Sequence, residues 1–200
     1  MTIDLKFRSA TIDDADHLVV LLDSASRRLA SWFWNTMSEP GQSYFEIGRN
    51  RIRTKTENPT CFTNWWVAEL EGRIAGALNG WTIAKPYDPG DISELPDVFT
   101  PIIELEAVAE GTWYLQVASV YPELRGKGVG TAILTKAEAI ARGSAANRMS
   151  LMVESANRDA HRLYERFGFT DWANRPFIPF PGSSDKGDWI LMGKEVDPAG

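Results

Sequence analysis

The fold is decided by the stretch VYPELRGKGVGT at residues 120–131. An apolar run that predicts a strand, 112–121, leads into it, and an amphipathic run that predicts a helix, 130–142, follows it. Glycine at every second position removes side chains from the turn, so that an anion can lie against backbone N–H groups at the positive end of the helix. Arg125 and Lys127 add positive charge, although the whole chain carries a formal net charge of −6. We therefore expect an anion to bind here.

Two common phosphate-binding loops do not fit this turn. A Walker A loop has a glycine, four further residues and then Gly-Lys followed at once by Ser or Thr. Here Gly126-Lys127 is followed by Gly128, and position 121 is Tyr. A dinucleotide-binding loop has the spacing Gly-x-Gly-x-x-Gly, but here the third glycine comes one residue early and Thr131 occupies its place. The remaining pattern is Arg-Gly-x-Gly-x-Gly between a strand and a helix.

This pattern resembles the pyrophosphate-binding motif of the GNAT superfamily, the acyl-CoA-dependent N-acyltransferases. Further along the chain, NRDAHRLYERFGF at residues 157–169 is similar to the family's second signature. Residues 8–15 resemble its opening strand and helix, and residues 67–76 its central hairpin. The resemblance covers roughly residues 5 to 195. It implies an α/β fold, a single GNAT-like domain over residues 1–200 with a mixed, largely antiparallel central sheet flanked by helices.

Hydrophobic periodicity predicts alternating strands and helices without a linker. Strands are expected at residues 5–9, 64–69, 74–81, 112–121, 148–154 and 189–194. Helices are expected after Thr11 and over residues 44–53, 100–110, 130–142 and 157–167. Thr11 and Asp14 have the spacing of a capping box at the first helix. A turn at Glu71-Gly72 is expected to join the two strands of a hairpin.

The resemblance implies acetyl-CoA as the cosubstrate. Its phosphates suit the N–H donors of the glycine turn, and its pantetheine arm is expected to pair like an added strand with the strand that enters the turn. Asn157 is expected to cap its helix, and in the family this residue also contacts the cofactor. The predicted cofactor-binding residues are Ala118, Ser119, Val120, Arg125, Gly126, Lys127, Gly128, Val129, Gly130, Thr131 and Asn157.

Acetyl transfer to an amine also needs an oxyanion donor, an acid for the departing thiolate and a base. The resemblance assigns the backbone N–H of Val120 as the oxyanion donor and the phenol of Tyr164 as the general acid. Periodicity alone would make Tyr164 part of a buried stripe. In family members that use a carboxylate as the general base, this carboxylate stands at the position of Met152 or near the position of Tyr114. Glu154 is the remaining candidate base, with a water chain or a partly neutral acceptor as the alternative.

We predict an N-acetyltransferase that moves an acetyl group from acetyl-CoA to the primary amine of a small molecule. Direct attack in a ternary complex is expected, because no Cys or Ser stands out as a nucleophile. Two alternatives stay open: a protein N-terminus or lysine as the acceptor, and a CoA-binding sensor without turnover. A homodimer is also left open.

The acceptor has to be inferred from the less regular parts of the chain. A run of acidic residues without Lys or Arg could concentrate a cationic amine, or could form an ordinary solvated face. Tryptophans at 32, 34, 65 and 66 could line a pocket or pack in the core. The loop 175–187 could shape the acceptor entrance. The acidic residues are Asp88, Asp91, Glu94, Asp97, Glu104, Glu106 and Glu110.

Composition limits the classes of partner and the compartment. The negative net charge argues against nucleic acid, and no apolar run has membrane-spanning length. The single Cys61 excludes an internal disulfide, and residues 1–8 have no apolar core of signal-peptide type, so a cytoplasmic protein is expected. Cys61, His17 and His161 lack the spacing of metal ligands, so we expect no metal.

Overall fold

The computed structural model describes residues 5–54, 58–144, 146–183 and 187–197. Within these ranges the chain forms seven strands and six α-helices, with short 3-10 turns between some of them. The strands are β1 (Leu5–Ser9), β2 (Trp65–Leu70), β3 (Arg73–Thr82), β4 (Trp113–Val120), β5 (Arg148–Glu154), β6 (Thr170–Pro176) and β7 (Asp188–Glu195). The helices are α1 (Ala15–Ala25), α2 (Leu29–Thr36), α3 (Tyr44–Thr54), α4 (Thr100–Val108), α5 (Val129–Arg142) and α6 (Arg158–Arg166). Residues 1–4 of the N-terminal stretch and 184–186 of the predicted 175–187 loop lie outside the described residues.

The strands form one sheet in the order β1-β2-β3-β4-β5-β7-β6. β4 and β5 are parallel, with Trp113 opposite Met149 and Leu115 opposite Leu151. The pairs β1–β2, β2–β3, β5–β7 and β6–β7 are antiparallel. A parallel pair needs a long crossover, and α5 lies between β4 and β5 in the chain. The predicted α/β class with a mixed, largely antiparallel sheet is therefore confirmed.

The hairpin of β2 and β3 turns at Glu71 and Gly72, as predicted. Both residues have positive φ, 52° and 75°, and Leu70 pairs with Arg73 across the turn. Two-residue turns with positive φ at both positions match the twist of antiparallel strands, which is why a glycine stands at the second position.

Two elements were not predicted, and in each case packing rather than local propensity forms the element. The eight-residue α2 contains three aromatic residues and is too short to be stable alone. Its Trp34 is buried and lies so close to α3 that a Cβ on Gly48 would be 2.6 Å from the indole ring. β6 is a polar edge strand, and its pairing with β7 defines it.

The chain divides into two compact units, which are described separately. The first contains the chain up to Gly80, Val117–Lys136 and Pro181–Ser183. Its core joins the buried face of α1 to two tryptophans, Trp34 and Trp65, which are 4% and 0% exposed. These two tryptophans therefore pack in the core. The other core residues include Ala15, Leu18, Val19, Leu22, Ile52 and Val67.

The second unit contains Trp81–Gln116, Ala137–Phe180 and the chain from residue 184 onward. About half of its described buried side chains come from β4, β5 and β7. Just before β4, the buried hydroxyl of Thr112 lies 2.6 Å from that of Ser150 on β5. α4 packs against β6, and Glu104 of the helix accepts a hydrogen bond from Arg175 of the strand. Whether the two units form a single domain, as predicted, stays a prediction.

The start of α1 is fixed by a small polar network around Asp14. Its carboxylate accepts hydrogen bonds from the N–H and hydroxyl of Thr11, at 2.7 and 3.0 Å, which confirms the predicted capping box. Arg8 donates two further bonds to the same carboxylate, at 2.7 and 2.9 Å, and a third to Glu69 at 2.8 Å. The Arg8 bonds, followed by those of Thr11, lower the pKa of Asp14 to about 2.

We expect the substitution Asp14→Asn to lower the free energy of unfolding at neutral pH by about 2 kcal/mol, because Arg8 and Thr11 lose a charged acceptor. The folded-state pKa of Asp14, about 2, lies below its ordinary value of 3.8. The stabilisation is therefore present above roughly pH 5 and is lost as the pH falls towards about 2. Urea unfolding at neutral and acidic pH measures both quantities. Asp13→Asn, which changes an exposed carboxylate in the same turn, is the control, and an equal loss for D14N at both pH values would contradict the account.

Candidate functional site

The glycine turn has a backbone that needs glycine at two positions. Gly126 and Gly128 have φ values of 72° and 88°, in the left-handed region that side chains disfavour. A Cβ placed on either residue would meet nothing within 4 Å. The space beside the turn is therefore open, and a larger residue there would occupy it.

The turn leads into the amino end of α5, whose N–H groups are available to a ligand. The N–H of Ala132 donates to the Gly128 carbonyl at 3.1 Å. The N–H groups of a helix's first turn have no helical partner, and in α5 these belong to Val129, Gly130 and Thr131. The dipole of this 14-residue helix adds partial positive charge at the same end. Together these features suit an anion.

Arg125 is held at the turn by two hydrogen bonds. Its Nε donates to the Val120 carbonyl at 3.3 Å, and its Nη2 donates to the Ser24 hydroxyl at 3.4 Å. Both Arg125 and Lys127 are exposed. The guanidinium is thus positioned by the end of β4 and by α1. Sequence analysis missed Ser24, because a contact between residues so far apart in the chain leaves no local pattern.

The end of β4 lies unusually close to β3, and Gly76 permits this. A Cβ on Gly76 would lie 2.4 Å from the Ser119 carbonyl oxygen and 3.2 Å from the Val120 Cα. The N–H of Tyr121 donates to the Ala75 carbonyl at 3.0 Å. The segment predicted to pair with pantetheine is therefore fixed against β3. The role of the Val120 N–H as oxyanion donor stays a prediction.

The residue after Val120 has an unexpected partner on α1. The phenol oxygen of Tyr121 lies 2.7 Å from Nδ1 of His17, and the two rings meet edge to face. His17 is exposed, and its contact with Tyr121 could not be read from the sequence. This pair helps to fix the backbone between β4 and the glycine turn.

Asn157 lies at the N-cap position of α6, as predicted, but its side chain does not cap the helix. The structure has no hydrogen bond from this side chain to the first turn of α6. Its backbone N–H instead donates to the Glu154 carbonyl at 2.8 Å, and its carbonyl accepts from the His161 N–H at 3.0 Å. The prediction that the Asn157 side chain caps the helix is therefore wrong, because the backbone closes this turn without the side chain. The predicted cofactor contact is untouched by this and stays a prediction.

Tyr164 lies on α6 with its ring half-buried against Phe169, at a centroid distance of 6.1 Å. Burial raises the pKa of Tyr164 to about 12, so the phenol keeps its proton at neutral and mildly alkaline pH. The ring therefore packs as periodicity suggested and also keeps a proton that it could donate. Its role as general acid stays a prediction.

The candidate base Glu154 is the last residue of β5. It is 5% exposed and pairs with Trp189 of β7, while Met152, on the same strand face, pairs with Leu191. None of the described contacts shows where an acceptor amine would lie relative to the Glu154 carboxylate. The assignment of Glu154 as base stays a prediction.

Most of the acidic residues between β3 and β4 have ordinary structural partners. Glu110 pairs with Lys85 at 3.2 Å, and Glu104 pairs with Arg175. Asp88 and Asp91 each accept a backbone N–H two residues ahead, which closes local turns. For these four residues, an ordinary solvated face describes the structure better than an acidic run that concentrates a cationic amine. Glu106 differs from them in its surroundings.

Cys61 is fully buried. Within the described ranges, no group of three or more His, Cys, Asp and Glu side chains is arranged to hold a metal ion. None of the helices in this part of the chain has the length and apolarity that a membrane span needs. The predictions about metal and compartment stay predictions.

Comparison with known families decides what kind of protein this is. The model of the family described as "Acetyltransferase (GNAT) family" matches residues 26–169, which include both signatures noted in the sequence. The chain belongs to the GNAT acetyltransferase family. The resemblance inferred from the glycine turn and from residues 157–169 is thereby confirmed. A comparison with curated proteins found no match.

Solved GNAT-type structures share the fold at low sequence identity. An N-acetyltransferase from Staphylococcus aureus Mu50 has a TM-score of 0.62 and 17% identity, over 94% of this chain and 100% of that one. A putative phosphinothricin N-acetyltransferase has a TM-score of 0.62 and 20% identity, over 97% and 99%. Ribosomal-protein-alanine N-acetyltransferase from Brucella melitensis has a TM-score of 0.60 and 20% identity, over 96% and 99%. At these identities the likeness shows the fold alone.

We expect Gly128→Val to weaken coenzyme A binding by at least about 100-fold, because the side chain would enter the space of a bound phosphate. Calorimetric titration measures this affinity, and circular dichroism checks that the variant folds. Gly41→Val is a matched control, because Gly41 has nearly the same φ, 87°, and also faces open space. The account would be refuted by unchanged affinity in G128V, or by an equal loss in G41V.

Proposed function

We propose that this GNAT protein transfers an acetyl group from acetyl-CoA to the primary amine of a small molecule, by direct attack in a ternary complex. The observation that carries the proposal is the open glycine turn at the amino end of α5, where two left-handed glycines leave room for a phosphate. Membership of an acetyltransferase family supports the group transferred. An alternative acceptor is a protein N-terminus or lysine.

Coenzyme A is held, in this proposal, by main-chain donors and two cations. The amides of residues 126–131 bind the diphosphate, and Arg125 and Lys127 balance its charge. The pantetheine arm pairs with residues 118–120 of β4 in the manner of an added strand. The side chain of Asn157, which is not used as a helix cap, contacts the cofactor.

The chemistry requires one bond to form and one to break. The neutral amine nitrogen attacks the thioester carbonyl, and the Val120 N–H stabilises the oxyanion that develops. As the C–S bond breaks, the phenol of Tyr164 donates its proton to the departing thiolate, and the proton lost from the amide nitrogen restores the phenol. Glu154 is the proposed acceptor for the proton that the incoming ammonium loses. The products are an acetamide and free coenzyme A.

The names of the related structures leave the acceptor class open. One is named for phosphinothricin, a small molecule, and another for an alanine of a ribosomal protein. We favour a small amine because the half-buried Trp81 and the buried Tyr114 meet edge to face at 5.3 Å and can contribute apolar contacts to a compact acceptor. A peptide acceptor makes the competing prediction of activity on N-terminal or lysine-containing peptides.

Thiol release from acetyl-CoA tests the proposal when it is assayed against a panel of small primary amines and short peptides. We expect thiol release that depends on a small amine and exceeds that with any peptide. Activity with peptides alone would favour the protein acceptor. Tight binding of coenzyme A without amine-dependent thiol release at any pH would contradict an enzyme and favour a sensor.

We expect Tyr164→Phe to lower kcat by about 100-fold or more, with little change in the KM for acetyl-CoA, because only the proton donor is removed. Steady-state kinetics on the best amine of the panel measures both constants. Tyr44→Phe, which removes a phenol on α3, is the control. If Y164F retained the turnover of the wild type, Tyr164 would be a packing residue only.

A further inference from the structure

Glu106 of α4 is a half-buried carboxylate with a phenol as its hydrogen-bond partner. The hydroxyl of Tyr87 donates to its Oε2 at 2.7 Å. Burial raises the pKa of Glu106, and the Tyr87 bond only partly opposes this. A carboxylate in this setting is poorly solvated, and it gains from any further positive partner.

The neighbouring carboxylates of the same segment already have such partners. Glu104 pairs with Arg175, and Glu110 pairs with Lys85. Among the residues that the structure describes, no Lys or Arg side chain forms an ion pair with Glu106. A partly buried charge without a counter-ion costs stability, so this carboxylate is the place in α4 where a ligand cation would be stabilised most.

Glu106 and the candidate acid Tyr164 both act electrostatically on one buried residue, Tyr114 of β4. Tyr114 is 5% exposed, and its ring meets Trp81 edge to face at 5.3 Å. Burial raises the pKa of Tyr114 well above its ordinary value, and electrostatic interaction with Glu106, Tyr87 and Tyr164 raises it further. The carboxylate and the candidate proton donor therefore both lie within electrostatic range of Tyr114, whose ring packs against Trp81 in the second unit.

We propose that Glu106 binds the positively charged amino group of the acceptor, beside Tyr87 and the aromatic pair Trp81 and Tyr114. The ligand class is a small aliphatic amine that is an ammonium ion at neutral pH. A carboxylate and an ammonium form a charge-assisted hydrogen bond, and aromatic faces add cation–π attraction. This inference rests on the proposed function and specifies in addition that the acceptor binds as a cation.

The substitution Glu106→Gln tests the inference, because Gln keeps the size of the side chain and an acceptor for Tyr87 but removes the charge. Benzylamine is an ammonium ion at neutral pH, and aniline is uncharged. With saturating acetyl-CoA, we expect E106Q to raise the KM for benzylamine at least about tenfold and to change kcat/KM for aniline less than about twofold. The KM for acetyl-CoA should stay unchanged.

Glu94→Gln is the matched control, because Glu94 is an exposed carboxylate in the same acidic stretch and its loss changes the net charge equally. E94Q should leave the benzylamine KM within about twofold of the wild type. E106Q should also unfold at a temperature no lower than the wild type, because a half-buried charge has been removed. A destabilised E106Q with both amines equally impaired would assign Glu106 a structural role and overturn the inference.

Two further outcomes separate this inference from the proposed function. If the wild type turns over benzylamine and E106Q has the same KM, the inference is wrong and the proposed function stands. If no amine supports thiol release, the proposed function fails, and calorimetric titration of benzylamine into the wild type and E106Q still tests the site. Equal affinity in the two proteins, or no binding to either, would then overturn the inference.

Discussion

Two backbone positions in the left-handed region control access to the amino end of α5. Gly126 and Gly128 reverse the chain between β4 and the helix without placing a side chain in the turn. The first N–H groups of the helix then face a space into which a diphosphate can enter. Any other residue at these positions would both strain the backbone and fill that space. The proposed binding of acetyl-CoA depends on this constraint.

A second close approach fixes the strand that enters the turn. Gly76 of β3 lets the Ser119 carbonyl come nearer than any side chain would permit. The Tyr121 N–H and the His17 contact then hold the chain as it leaves β4. Main-chain groups at the end of β4 are thus held by their neighbours before a ligand binds. Such preorganisation is what makes backbone donors effective towards a developing oxyanion.

The sequence was most informative where local patterns determine structure. The capping box at Thr11 and Asp14, the turn at Glu71-Gly72 and the glycine turn are each set by residues close together in the chain, and all three form as predicted. Short elements stabilised by tertiary packing were missed, namely α2 through Trp34 and β6 through its pairing with β7. Local propensity does not report such long-range contacts.

In the candidate site, too, features set by local sequence could be predicted and features set by tertiary contacts could not. Positions of the family's motifs could be read from spacing, but the surroundings of individual side chains could not. The sequence grouped Glu106 with six other acidic residues, and only the fold separates it from carboxylates that have their own cations or turns. Likewise, the N-cap position of Asn157 was predictable, whereas the absence of a capping bond from its side chain was not.

The central claim is that the main chain of the glycine turn binds the diphosphate of coenzyme A. A crystal structure of the protein with coenzyme A bound tests it most directly. The account predicts diphosphate oxygens at about 3 Å from N–H groups of residues 126–131. A diphosphate bound elsewhere on the protein, with this turn empty, would contradict it.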